Sequence, residues 1–460
     1  MTQTFESALM AIIKNAFAIL LLQITTTTMQ QKAKSNTYAI VIIGILFFVF
    51  GFVTWLNGTL IPFLKLACQL KTDTQAFFVT FSFYMAYFFL AIPSSYVLKI
   101  TGYKNGMALG LFIMAIGSVI FIPAANTRSF ALFLTGLFIQ GTGLALLQTA
   151  SNPYISVLGP IESAAKRISI MGICNKAAGM ISPLIVGALV LKNATAIEQK
   201  IIAAADTAQK GILLNELTKR VITPYLIITV ILIIMAIMIK KSSLPEIKSE
   251  KEEPITHTPI LQKTSVLQFP HLLLGVLCIF LYVGAEVMAG DAIGTYGKHM
   301  GMPLDETKYF TAFTLFGMLA GYIVGIFTIP KIVSQQKALA ISAILGIIFC
   351  IGVFVSNDYT AITFIALLGL ANALMWPAIF PLAIDGLGRF TKTGAALLIM
   401  GIAGGAVIPL IYTSLRDKAH ISNSLSFLVC MLPAYVYIFY YATKGFRVGK
   451  LSTTVAQTVS

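Results

Sequence analysis

Runs of about twenty apolar residues recur along this chain, separated by short polar breaks, and this repeat constrains the fold more than any other feature. Twenty residues at about 1.5 Å each make a helix roughly 30 Å long, the thickness of a bilayer's hydrocarbon core. No water is available there, so backbone N–H and C=O groups must be satisfied within a helix or a closed barrel. The runs lack the period-two alternation of a membrane barrel, which leaves helices. Composition agrees: 57% of residues are hydrophobic and 11% charged, where soluble domains carry about one quarter charged residues. Mean hydropathy is +0.87. The sequence predicts an all-α polytopic membrane protein.

Twelve spans are expected, at about 38–64, 74–98, 105–124, 130–157, 168–191, 222–240, 270–294, 308–330, 337–356, 359–384, 393–414 and 422–443. Lys and Arg set their orientation. One set of loops holds Lys32, Lys34, Lys99, Lys104, Lys166, Arg167, Lys331, Lys337, Arg389, Lys392, Lys444, Arg447 and Lys450. The opposite short loops hold fewer, so the first set and both termini are expected in the cytoplasm. The formal charge of +15 reflects this asymmetry, and no nucleic-acid partner is expected. The five cysteines show no metal spacing and imply no disulfide framework.

The chain divides into an N-terminal extension (1–37), a six-helix half (38–241), a polar cytoplasmic linker (242–269), a second six-helix half (270–444) and a cytoplasmic tail (445–460). The extension is apolar but interrupted by Lys14 and Asn15, and Met29 is an alternative start of translation. Residues 192–220 form an Ala-rich outside loop in which a surface helix is expected. The halves echo each other. "SIMGICNKAAGMISPLIVGAL" (169–189) matches "LIMGIAGGAVIPLIYTSL" (398–415), and "FVFGFVTWLNG" matches "IFLYVGAEVMAGD". Parallel repeats of this kind build transporters whose site lies near the midplane between the halves.

"GFVTWLNGTLIPFLK", "IPSSYVLKITGYKNGMALGL", "LLQTASNPYISVLGP", "FLYVGAEV" and "MWPAIFPLAI" resemble the fucose and glucose/galactose permease branch of the major facilitator superfamily. The similarity starts near residue 38 and runs in order through both halves. It implies the major facilitator fold, with twelve helices in two six-helix halves. It further implies cation-coupled sugar uptake across a cytoplasmic (inner) membrane, by rocking the halves around the site. The expected partners are a small sugar and the lipid bilayer, with the chain acting as a monomer. No cofactor is expected beyond the coupling ion, Na+ or H+.

A charge at the centre of a bilayer helix costs about 2.5–3.5 kcal/mol on insertion scales. Lys176, Glu286 and Asp291 lie well inside spans. Lys176 is a candidate sugar-binding cation, with a structural ion pair as the alternative. Glu286 and Asp291 are candidate cation-coupling acids, for a proton or for Na+. Five residues turn a regular helix by about 140°, so these two acids are not expected on one face. Gly284, Gly290, Gly294 and Gly297 predict an irregular outer half for span 7.

Sugar hydroxyls donate and accept, and amides match both roles. The candidates are Asn57, Gln148, Asn152, Asn175 and Asn372. Gln148 and Asn152 stand four apart, hence on one helical face, and Pro153 is expected to bend or break the helix beyond them. Trp55 and Trp376, the only tryptophans, are candidate platforms for a sugar's C–H face. Asn372 and Trp376 are also four apart. Tyr84 and Tyr87 are weaker candidates. Glu162, Arg167, Asp385 and Arg389 are expected to form salt bridges closing the cytoplasmic gate.

The pattern breaks at two places. Proton-coupled members of the branch carry acids in span 1 and span 4, where this chain has Gly58 and Gln148. Neither exchanges a proton, so coupling is expected at span 7. The expected substrate is a neutral hexose, glucose or galactose first, with fucose and N-acetylhexosamine as further candidates. An exporter of organic solutes and a transport-inactive sugar sensor are the alternatives. No nucleophile–base pair, metal cluster or phosphate loop points to an enzyme.

Overall fold

The computed structural model describes residues 38–157, 164–204, 206–244 and 264–450. The N-terminal extension with Met29, Glu162, most of the linker and residues 451–460 lie outside them. The described residues form helices and contain no strand. Among the described residues, eleven helices are long and apolar enough to cross a membrane. One of them, Phe78–Thr127, has 50 residues, or about 75 Å at helical rise. It is two crossings joined at Gly102, whose φ of 74° and ψ of 170° only glycine adopts with ease. The two crossings are the expected spans 2 and 3, so the count reaches twelve.

The other spans are Tyr38–Ala67 (span 1), Phe130–Val157 (4), Ala164–Val190 (5), Ile222–Lys241 (6) and Pro270–Asp291 (7). Phe310–Thr328 (8), Gln335–Val355 (9), Asp358–Ile384 (10), Gly388–Asp417 (11) and Asn423–Thr443 (12) follow. The 192–220 loop holds two helices, Ala194–Ala203 and Thr207–Lys219. Large apolar side chains such as Phe89, Ile234, Phe316 and Val436 are exposed on the outer surfaces of the bundle. In lipid that exposure carries no penalty.

Several spans are broken, and the breaks shape the centre. Span 1 turns at residues 55–56 before resuming as Asn57–Ala67. Span 7 stops at Asp291 and resumes as Ile293–His299 after Ala292, as its glycines predicted. Span 10 ends its first segment at Asn372 and restarts at Met375. Pro377, lacking an N–H, sits in the first turn of that second segment, where the loss is tolerated. Span 11 passes through a 3-10 turn at Gly401–Ala403. Span 4 does the reverse of the expectation and runs helically through position 153 to Val157.

The halves meet chiefly where span 2 packs on span 11 and span 5 on span 8. Glycines allow closer approaches elsewhere. A Cβ on Gly51 would lie 2.2 Å from the Asn175 carbonyl oxygen, and one on Gly404 would lie 1.7 Å from that of Phe280. Small residues draw membrane helices together this way.

Candidate functional site

At the junction of the halves lies a cavity of about 100 Å³. Its polar wall comes from Trp55 of span 1, Tyr84 and Tyr87 of span 2, Gln148 and Asn152 of span 4, and Asn175 and Lys176 of span 5. The second half adds Tyr282 and Glu286 of span 7, Tyr322 of span 8 and Trp376 of span 10. The volume is below the roughly 300 Å³ of small ligand pockets, so the walls must part to admit a hexose.

Lys176 and Glu286 face each other across the halves, with Nζ 2.6 Å from Oε1. Both are nine-tenths buried. The ammonium also lies 4.3 Å from the centre of the Trp55 ring, a cation–π arrangement. Lys176 is therefore paired as well as cavity-lining. Trp55 donates from Nε1 to Asn175 Oδ1 at 3.4 Å. Its ring fits against Gly179 of span 5 and Gly290 of span 7, where a Cβ would come within 2.4 and 2.3 Å of it. Both glycines stand one turn beyond Lys176 and Glu286 in their helices, so the indole closes that side of the cavity.

Gln148 and Asn152 share the face that the four-residue spacing predicts, and both reach the cavity. Gln148 donates from Nε2 to the Tyr87 hydroxyl at 3.0 Å. Trp376 stacks on Phe380, with ring centres 5.6 Å apart, and presents an aromatic surface to the cavity.

Three expected residues lie elsewhere. Asn372 is fully buried outside the cavity and accepts a hydrogen bond from the Tyr435 hydroxyl at 3.0 Å. It ties span 10 to span 12, because the helix breaks between it and Trp376 and their shared face is lost. Asn57 and Asp291 are each 1% exposed and do not line the cavity. Asp291 is thus separated from Glu286, as five residues of helix require.

Of the expected cytoplasmic gate residues, Glu162 lies outside the described residues. Asp385 pairs with Lys450 of the C-terminal tail at 2.7 Å. Arg167 donates from Nε to the Ile155 carbonyl at 2.9 Å, and Arg389 stacks on Phe390.

The contacts that lock the halves are at the opposite end, which the Lys/Arg asymmetry assigns to the outside, and the sequence reading missed them. Asp73, before span 2, accepts from Arg416 Nη2 of span 11 and from His299 Nε2 after span 7, both at 2.5 Å, and pairs with Lys65. Thr74 donates its N–H and hydroxyl to Asp417 at 2.8 and 2.9 Å. Glu198 pairs with Lys298 at 2.6 Å, and Asp305 accepts the Ala194 and Thr195 N–H groups. Burial pushes the Asp73 carboxyl up, but the His299 hydrogen bond and the charges of Lys65 and Arg416 outweigh it. The group is held well below the usual carboxylate range. Each residue alone reads as an ordinary loop charge, so nothing in the sequence marked the cluster. A recess of about 450 Å³ beneath it is walled by charges already paired with one another, including Lys65, Asp73, Glu198 and Lys298. It suits a neutral sugar less well than the midplane cavity does.

Known proteins resemble this chain in sequence and fold. The chain is 33% identical over 421 residues to the glucose/galactose transporter of Brucella abortus, covering 91% of this chain and 96% of that one. It is 29% identical over 418 residues to the L-fucose-proton symporter of Escherichia coli, covering 89% and 94%. The crystal structure of FucP, the E. coli fucose:proton symporter, matches with a TM-score of 0.71 at 26% identity, covering 91% of this chain and all of that one. The model of the Major Facilitator Superfamily matches residues 43–411. With two six-helix halves closing on a midplane cavity, this chain belongs to the Major Facilitator Superfamily.

Proposed function

We propose that this protein imports a neutral hexose, glucose or galactose, together with a monovalent cation, by alternating access across a cytoplasmic membrane. Both termini lie on the cytoplasmic side in this reading. The observation that carries it is the midplane cavity, whose polar wall is built of amides, phenols and indoles around one internally neutralised ion pair. Amides and phenols pair with hydroxyls that both donate and accept, and the two indoles offer flat faces to C–H groups. An organic-anion pocket would need convergent unpaired cations, whereas Lys176 is already matched by Glu286. The similarity to a glucose/galactose transporter and a fucose–proton symporter supports the same substrate class.

The mechanism follows from where the bonds lie. The Asp73 cluster and Trp55 hold the outer side shut. Releasing them lets the halves rock apart outward, and Gln148, Asn152 and Asn175 then meet the sugar on one half while Trp376 meets it on the other. The coupling ion, Na+ or H+, is assigned to the span 7 acids. Lys176 and Glu286 bridge the halves, so the pair must open and re-form in each cycle.

Counterflow tests this reading. Proteoliposomes loaded with unlabelled hexose should take up labelled glucose or galactose transiently above equilibrium. Replacing Gln148 with Leu should weaken that exchange roughly tenfold, the worth of one good hydrogen bond. Absence of counterflow for glucose, galactose, fucose and N-acetylhexosamine alike would remove the carrier reading and favour a sensor.

A further inference from the structure

We propose a Na+ seat outward of the sugar cavity, formed by the Asp291 carboxylate and the Asn57 amide. The proposal deepens the cation-coupled reading above and rests on it. Asp291 is 1% exposed, and neither carboxylate oxygen has a hydrogen-bond partner. Asn57 is equally buried, and neither its Oδ1 nor its Nδ2 has one. Buried polar groups of this kind are otherwise paired, and an uncompensated buried charge is strongly destabilising. Two such groups on adjoining segments mark the position of a ligand.

The two segments pack directly on each other. Gly58 follows Asn57 in the chain, and a Cβ there would lie 3.3 Å from Asp291 Oδ1 and 2.5 Å from the Thr311 hydroxyl. Glycine permits that close approach. Both ligands also sit at helix breaks. Asn57 begins the second segment of span 1, and Asp291 is the last residue of span 7 before its interruption. Broken membrane helices free backbone carbonyls, which serve coupling ions as ligands. A carboxylate, an amide oxygen, a hydroxyl and carbonyls form an all-oxygen set suited to a hard cation.

Charge selects the valence. Lys176 neutralises Glu286, so the Asp291 carboxylate leaves one net negative charge. A monovalent ion cancels it, and a divalent ion would overshoot. A proton would cancel the charge too, so a direct binding measurement has to separate the two ions. The ligands come from opposite halves: Asn57 and Gly58 from the first, Asp291 and Thr311 from the second. The seat is complete only when the outer ends are together, so a bound ion favours outer closure and commits the sugar to the inward path.

Binding of radioactive Na+ to the purified full-length protein tests this directly. Wild type should bind Na+ saturably, with K+ competing poorly. Asp291→Asn should abolish binding, and Asn57→Ala should weaken it roughly tenfold or more. Na+ should also raise the unfolding temperature of wild type where K+ at equal ionic strength does not, which keeps the test open if Asp291→Asn fails to fold. No saturable Na+ binding by wild type, or equal binding by Asp291→Asn, overturns the seat. If Na+ does not bind while a proton gradient drives sugar accumulation, the seat falls and symport stands. If neither gradient drives accumulation, the symport reading itself falls.

Discussion

At the scale of single residues, the Lys176–Glu286 pair sets the energetics of the centre. Removing one partner leaves the other buried and uncompensated. Lys176→Met or Glu286→Gln alone should destabilise the protein by about 3 kcal/mol, and the double substitution should recover most of that loss. Thermal unfolding in detergent measures it, and a double variant no better than the worse single one would deny the pairing. These residues were legible in the sequence because a charge in an apolar run costs enough to be conspicuous. The paired amides of span 4 were legible for the same reason. Of the phenols, Tyr84 and Tyr87 were read only as weaker candidates, and two others were missed. Tyr282 and Tyr322 line the cavity, but tyrosine is ordinary in membrane helices and gives no signal of where it points. Asn372 was misplaced because an unbroken helix was assumed between it and Trp376.

At the scale of elements, the breaks in spans 1, 7 and 10 and the fit of Trp55 between two glycines decide how the outer side closes. Gly290→Val would push a side chain into the Trp55 ring, where even a Cβ comes within 2.3 Å. The outer ends should then fail to close, and spin labels at Lys71 and Lys418 should report a wider separation than in wild type. Arg416→Ala should widen the same distance by weakening the hold on Asp73. An unchanged distance in both variants would contradict the proposed closure. The pH dependence has a definite sign. The Asp73 carboxyl is held below its ordinary value, so its contribution is present above the ordinary carboxylate pKa and lost only as pH falls through the depressed one. Lowering pH from about 8 to about 5.5 therefore leaves Asp73 ionised, and the distance between the labels should not grow. The sequence located the spans through their lengths and flanking charges. It could not locate the outer lock, because Asp73, His299 and Arg416 are brought together only by the packing of three distant loops and helix ends.

At the scale of the whole molecule, two pseudo-repeated halves meet at a small polar cavity and are bonded to each other at their outer ends. That arrangement was largely readable, since the repeat and the central polar linker are both written in the sequence. What was not readable was which end is bonded shut, since that is a property of the conformation. The proposed function turns on sugar movement being driven by a cation through span 7. Labelled glucose or galactose uptake into vesicles tests it, with Na+ and proton gradients imposed separately and Glu286→Gln and Asp291→Asn run alongside wild type. Accumulation above equilibrium is expected under a Na+ gradient, and its loss in both variants. Accumulation indifferent to both gradients, or undiminished in both variants, would contradict it.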